Sequence, residues 1–534
     1  MLQNVNNVLG GIMNSQICHE SINALWDDCL VKDEDKVCIV YESKDGQTSQ
    51  FTYGELYQNI MRASNFFIDL NIRKGDKVAV HMHSSPEFLV IWFALLRIGA
   101  VMVPLNCNYT QRECRFILDQ CDVQCLLTES DFVSLYEDAF FASVTKILTR
   151  SDAPLEGYLN FAECIERQPT ELKEKRAVFS DDPAEILFTS GTTSSPKGAI
   201  FNHYNLVFAG QFHAEQIGLQ HDDRFFTVFP CFHIDWQAIA ILPTITQKAT
   251  IIVQERYSAS SFWEKIRRHD ATLIEMIPMI VRTTMLQPKV AEEKDHHVRR
   301  AYFSLCLSTE EKNAFEERFN VPLFNCYGMT ETVVCNVADF KNGEANWPSV
   351  GKIYDPFQLR IVDDRNQPVP TLEIGEICIK GERGKTLISG YYKNEEQTNK
   401  LYDEDDWMHT GDKGFLDEEG WLYFVDRGAN LIKRAGENIS ASEVENVLTS
   451  HEAIEEAAVI GVPDPIRDQA VKAYVKFYPG QELSIQELDD FCSEHLASFK
   501  VPSFFEVVDD FPHTCTGKIK KKNLSKSVVC PCRG

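Results

Sequence analysis

No stretch of this 534-residue sequence is apolar enough to cross a bilayer. Its most hydrophobic run, FLVIWFALLRIGAVMVPL from Phe88 to Leu105, carries Arg97 and Gly99 and closes at Pro104. A core helix followed by a buried strand is expected there instead. Positive charge is also scarce: 53 basic residues against 79 acidic ones leave a net charge of -26, which argues against a nucleic-acid binder. An anionic ligand would have to be held by local cations and backbone amides against the overall field. No internal repeat of about 20 to 50 residues is present, which removes solenoids and propellers. The first residues lack the basic start, apolar segment and small-residue cleavage site of a signal peptide, and the ending CPCRG matches no sorting or lipidation signal, so a cytoplasmic location is expected. The 17 cysteines are dispersed and read as small reduced hydrophobes. Only Cys530 and Cys532 lie close together, and without further Cys or His at ligand spacing they read as part of a tail.

What is present is alternation. Between about Asn14 and Gly420, strand-length apolar runs (DKVAVHM, AVMVPLN, QCLLTES, AEILFTS, ATIIVQE) are separated by longer helix-period segments. That pattern predicts a layered α/β fold with largely parallel sheets. The character changes after Tyr423. Ser440 with Glu443, and Ser484 with Glu487, have capping-box spacing, and two strand-like runs, EEAAVIGV and QAVKAYVKFY, are joined by the turn-rich PDPIRD. A large N-terminal domain over residues 1–426 and a small α+β C-terminal domain over 427–534 are expected.

One loop invites chemistry. In ILFTSGTTSSPKGAIFNH, two apolar strand runs flank small hydroxyl residues, two glycines and a lysine. Gly191 and Gly198 permit tight turns, consecutive backbone N–H groups can form an anion-binding concavity, and Lys197 brings a compensating charge. A Walker A loop has glycine before its lysine and Ser or Thr after it. Pro196 and Gly198 occupy those positions here, so a P-loop kinase or GTPase is excluded.

The loop resembles the phosphate-binding signature of the adenylate-forming superfamily, which holds acyl-CoA synthetases, luciferases and peptide-synthetase adenylation domains. The further motifs YGMTE (Tyr327 to Glu331), HTGD (His409 to Asp412), VDRGANLIKRAGENI (Val425 to Ile439) and PHTCTGK (Pro512 to Lys518) follow in the family's order. The resemblance implies a large multi-sheet α/β domain, a small mobile C-terminal domain, and two half-reactions. An acid attacks the α-phosphate of ATP to give an acyl-adenylate and pyrophosphate, and a thiol, usually that of coenzyme A, then displaces AMP. It further implies that Thr189, Ser190, Gly191, Thr192, Thr193 and Lys197 embrace the phosphates, with Thr330 beside the α-phosphate and Glu331 holding Mg2+. Tyr327 and Gly328 would border the adenine, and Asp412, reinforced by Arg427, would accept the ribose hydroxyls. Lys518 would bridge the substrate carboxylate and the α-phosphate. Gly428 and Ala429 would form the hinge, although many relatives have Asp or Lys where Ala429 stands. Lys433 and Gly436 would serve the second step, and His233 would gate the acyl pocket from the thiol channel.

The region upstream of YGMTE departs from the family's usual Gly-rich loop. Here AYFSLCLSTEEK brings Phe303, Leu305 and Cys306, which should shorten the acyl pocket and argue against long fatty acids. With FHIDWQ and NWPSVGKI, this resembles the branch that ligates crotonobetaine and carnitine. A trimethylammonium group cannot donate an N–H bond, so aromatic faces and a carboxylate are expected around it: Asp235, with Trp236, Tyr302, Phe303 and Trp347. A small-molecule acid, ATP and coenzyme A are thus the expected partners. An uncharged short- or medium-chain acid, a carrier protein as acceptor and a luciferase-like oxygenase are the alternatives.

Overall fold

The computed structural model describes residues 16–151, 153–189, 196–304, 307, 309–339, 344–427, 431–512, 519, 521 and 524; the side chains of residues 426, 427, 431, 438, 440 and 442 are outside the description. Ser190, Gly191, Thr192, Thr193, Leu305, Cys306, Gly428, Ala429, Lys518, Cys530 and Cys532 lie outside the described residues.

Two mostly parallel sheets form the body. One has seven strands, and its order runs Tyr158–Asn160, Thr145–Leu148, Cys125–Thr128, Lys77–His81, Val101–Pro104, Pro183–Thr189 and Lys197–Asn202. The last two pair antiparallel with Thr189 opposite Lys197, so the hydroxyl-rich loop joins the ends of a hairpin. The other has nine strands, with Val37–Glu42, Thr250–Gln254, Arg224–Thr227, Leu273–Met276, Arg300–Ser304 and Leu323–Tyr327 parallel at its centre and antiparallel strands at both edges.

The apolar run behaves as its composition requires. Helix Pro86–Arg97 is capped by Ser85, has Pro86 in its first turn, and is buried at every position but Glu87 before the chain enters strand Val101–Pro104. Burying each of its large side chains contributes about 1.5–3 kcal/mol. Arg97 is tolerated because its Nη2 meets Asp27 Oδ1 at 2.7 Å and its guanidinium lies 5.1 Å from the Tyr57 ring centroid.

The largely parallel character holds in both large sheets, and one smaller sheet departs from it. Residues 358–427 form a separate antiparallel sheet, Gln358–Val362, Gly375–Lys380, Trp407–Leu416 and Leu422–Arg427, rather than more of the parallel layers. Its last two strands are joined by residues 417–421 alone, too short a connection for a parallel crossover.

The separate C-terminal domain has its own apolar core, centred on Ile439, Val444, Leu448, Val459, Val471, Val475 and Leu488. The long hairpin Ile454–Asp464 with Asp468–Phe477 is packed by helices Ala441–Thr449 and Ile485–His495, the latter opened by the Ser484/Glu487 capping box. A second hairpin, Leu431–Arg434 with Glu437–Ser440, turns through Ala435 and Gly436, both at positive φ. No helix among the described residues is long and apolar enough to cross a membrane.

Candidate active site

The ends of the large sheets, the antiparallel sheet and the C-terminal domain enclose a cavity of about 820 Å³. Thr189 and Lys197, facing each other at the end of their hairpin, both border it, and the Lys197 ammonium sits 5.2 Å from the centroid of the Tyr391 ring. YGMTE leaves the end of strand Leu323–Tyr327 and folds into a 3₁₀ turn, Thr330–Thr332. Gly328 is required in that turn, because a β-carbon there would lie 2.7 Å from the Val334 carbonyl oxygen and 2.8 Å from the Cys335 α-carbon.

Two hydrogen bonds fix the acidic groups of this wall. The Tyr391 hydroxyl donates to Glu331 Oε1 at 2.7 Å, and the Tyr327 hydroxyl donates to Asp412 Oδ2 at 2.8 Å. Asp412 stands on strand Trp407–Leu416 opposite Arg427. His409, three residues earlier, contacts Cys378 Sγ at 3.5 Å and Glu376 Oε2 at 3.3 Å; those partners push its pKa up to about 10, so it is a fixed cation at this edge. Among the described residues no group of three or more His, Cys, Asp or Glu could by itself enclose a metal.

The opposite wall is built from both domains. His233 Nε2 donates to Glu437 Oε1 at 3.2 Å, and Asn106 Nδ2 donates to the same oxygen at 3.3 Å. Burial pulls His233 down, but the charge and hydrogen bond of Glu437, with Asp235 behind, outweigh it and leave its pKa above the ordinary histidine value. For Glu437 burial acts upward, yet His233, Asn106 and Lys500 hold its pKa below the usual carboxylate range. Lys433, Ala435 and Gly436 border the cavity beside Glu437, with the Lys433 ammonium 4.2 Å from the Phe424 ring centroid. A second hollow of about 450 Å³, with His83 and Arg256 at its wall, shares Val228, Pro230, Phe232, Tyr257 and Glu437 with the first.

Beyond His233, Asp235 opens a π-helical segment, Asp235–Ile241, and also borders the cavity. Burial raises its pKa, while the charge of His233 pulls it down. His213 is satisfied on both ring nitrogens, with Nδ1 donating to the Ala238 carbonyl at 2.7 Å and Nε2 accepting the Cys335 N–H at 3.0 Å.

The aromatic residues expected around the acyl group lie elsewhere. Trp236 points into the core against Phe88 and Trp92, at centroid distances of 5.5 and 6.4 Å. Tyr302 and Phe303 alternate on one strand, so the Tyr302 hydroxyl bonds Gln216 in one apolar core and Phe303 fills the other, with Trp347 resting 5.9 Å from it. None of these four borders the cavity. Aromatics that do border it beside Asp235 and His233 include Phe229, Phe232 and Tyr257. The reading from sequence also passed over Asn106, Tyr391, Glu437 and Lys500. Glu437 had a signal, because it lies within the AGENI stretch; Lys500 had none.

The family model for AMP-binding enzyme matches residues 26–392, and that for the AMP-binding enzyme C-terminal domain matches residues 443–518. The chain is 44% identical over 510 residues to a crotonobetaine/carnitine-CoA ligase of Salmonella paratyphi B, covering 95% of this chain and 99% of that protein. A double mutant of o-succinylbenzoate CoA synthetase from Bacillus subtilis, bound with its product analogue OSB-NCoA, superposes with a TM-score of 0.82 at 27% identity, covering 94% of this chain and 98% of that one. The same enzyme in complex with AMP superposes with a TM-score of 0.66, again at 27% identity and 94% coverage of this chain, with 97% of that one covered. The chain belongs to the AMP-binding enzyme family, of adenylate-forming fold, and its activity is the AMP-forming ligation of an acid to coenzyme A.

Proposed function

We propose that the acid is a short betaine, crotonobetaine, carnitine or γ-butyrobetaine, activated with ATP and Mg2+ and passed to coenzyme A. The observation that carries this is Asp235, a desolvated carboxylate on the cavity wall whose pKa burial has raised. A desolvated carboxylate is stabilised by a cation brought beside it, and a trimethylammonium group, which needs no hydrogen bond itself, would find apolar faces at Phe229, Phe232 and Tyr257. The 44% identity to the Salmonella ligase supports the same substrate class.

In the first step the acid's oxygen attacks the α-phosphorus and pyrophosphate leaves. Lys197 and Thr189, with Ser190, Gly191, Thr192 and Thr193, hold the departing phosphates, and Thr330 lies beside the α-phosphate. Glu331, with one oxygen fixed by Tyr391, suits a hard cation whose other ligands are phosphate oxygens and water; when bound, that cation neutralises charge on the phosphates. Asp412, held by Tyr327 and reinforced by Arg427, accepts the ribose hydroxyls, while Gly328 keeps the chain low beside the adenine. Lys518 bridges the attacking carboxylate and the α-phosphate.

The chain works as two units, residues 1–426 and 427–534, the smaller turning at Gly428 and Ala429. Family matches that end at 392 and resume at 443, and a separate C-terminal apolar core, support this. In the arrangement described here the C-terminal domain presents Lys433, Gly436 and Glu437 to the cavity, which supports its assignment to thiol transfer. The second hollow then serves as the approach for the pantetheine arm, and His233, held by Glu437, stands at its junction with the acyl pocket.

Pyrophosphate release measured with crotonobetaine, carnitine, γ-butyrobetaine, crotonate and a medium-chain fatty acid, each with and without coenzyme A, tests the proposal. The betaines should be turned over well ahead of the other two; preference for crotonate or the fatty acid removes the betaine assignment.

A further inference from the structure

A lysine that no sequence motif marks is buried where the two domains meet. Lys500 is 1% exposed, and its ammonium lies 2.6 Å from Glu113 Oε1 of the large domain and 2.9 Å from Glu443 Oε1 of the small one. Glu113 cannot follow a moving partner. Its other oxygen accepts from the backbone N–H and hydroxyl of Thr110 at 2.9 and 2.8 Å, closing the capping box of helix Gln111–Gln120. The surroundings are apolar: the Tyr109 ring centroid is 5.4 Å from the ammonium, and Ala497 and Phe499 of the small domain pack with Tyr109, Ile117, Leu118 and Ile186 of the large one. Lys500 also borders the catalytic cavity, and its charge helps to hold Glu437 ionised beside His233.

We infer that Lys500 is a positioning residue for thiol transfer: an ammonium clamped between Glu113 and Glu443 fixes the C-terminal domain in the arrangement that brings Glu437 to His233. The inference rests on the ligase reading above. One ammonium between two carboxylates is favourable only while both domains surround it. Without it, two desolvated acids face each other, and they regain water only if the domains part. A second bridge, Arg282 Nη1 to Asp468 Oδ1 at 2.6 Å, joins the same two domains but is more exposed to solvent, so it contributes less. Glu113 and Glu443 therefore select an orientation of the small domain and take no part in the chemistry.

The experiment separates the half-reactions in the full-length protein. Adenylate formation is read as single-turnover pyrophosphate release with crotonobetaine, and transfer as CoA thioester formed from chemically supplied crotonobetainyl-adenylate. Lys500→Met should slow transfer by about tenfold or more while adenylation stays within about twofold. Glu113→Gln added to Lys500→Met relieves the facing acids and should restore transfer several-fold, because glutamine still completes the capping box. Equal loss in both half-reactions, no loss in either, or no rescue in the double variant would each overturn the clamp. A wild-type protein that forms no adenylate from any acid overturns the ligase reading instead, and the two failures are distinguishable.

Discussion

The two walls of the cavity are assembled by different means. On the nucleotide side, acidic groups are fixed by tyrosines of the large domain, Tyr327 on Asp412 and Tyr391 on Glu331, 85 and 60 residues apart in sequence. On the thiol side the bonds run between domains: His233 to Glu437, Asn106 to Glu437 and Glu113 to Lys500, across 204, 331 and 387 residues. The acids of the first wall are held by large-domain side chains alone, and the small domain would add only Lys518 and Arg427 to it. The second wall is built from residues of both domains, so on the proposed reading a change there should abolish one chemistry and keep the other without altering the fold.

Lys518→Ala should give the largest separation of the two. Loss of a charge-stabilising donor at the α-phosphate should cut adenylation by about 10²–10³-fold, while thioester formation from supplied adenylate continues. Equal loss of both steps, measured by pyrophosphate release and CoA thioester, would remove Lys518 from the first wall.

Next is Asp235→Asn. If the carboxylate holds a quaternary ammonium, the change should weaken adenylation of crotonobetaine by about thirtyfold, an interaction of about 2 kcal/mol. Crotonate should be almost unaffected. A parallel fall for both acids, read as kcat/KM, returns Asp235 to a structural role.

Glu437→Gln tests the interdomain wall through pH. Glu437 raises the pKa of His233, so their contact contributes fully below the ordinary histidine value and is lost as pH rises through the raised one. The depressed pKa of Glu437 contributes in the other direction: its share is present above the ordinary carboxylate value and fades as pH falls through the lowered one. The ratio of wild-type to variant transfer rates, which cancels ionisation of the thiol, should therefore be several-fold near neutrality and approach one on the alkaline side. A ratio that is flat with pH would separate His233 from Glu437.

The same contrast explains what could be read from the sequence. Strands such as Lys77–His81, Cys125–Thr128 and Thr250–Gln254 announce themselves because strands buried on both faces are continuous apolar runs. Strands Gln358–Val362 and Gly375–Lys380 give no such run, because polar residues that stay exposed or half-buried, such as Gln358, Arg360 and Glu376, interrupt them. Asp412 and Glu331 were legible because each sits in a contiguous motif. Lys500 was not, because both of its partners are supplied by tertiary structure and its own neighbours, Phe499 and Val501, look like an ordinary strand or helix edge.

The aromatic residues mark the limit most sharply, and the smallest predicted effect belongs to them. Composition around Asp235 invites Trp236, Tyr302, Phe303 and Trp347 into one cage, but side chains on a strand alternate, and consecutive aromatics must face opposite layers. Tyr302 therefore lies one layer behind the cavity wall, with its hydroxyl on Gln216. Tyr302→Phe leaves the Gln216 carbonyl oxygen buried without its donor, and should lower stability by about 1–3 kcal/mol, seen as a lower midpoint in urea. The ratio of kcat/KM for crotonobetaine over crotonate should stay within about twofold, because no atom that touches the acid has changed. A large change in that ratio would bring Tyr302 to the cavity surface and make the acyl wall, like the thiol wall, the product of a rearrangement.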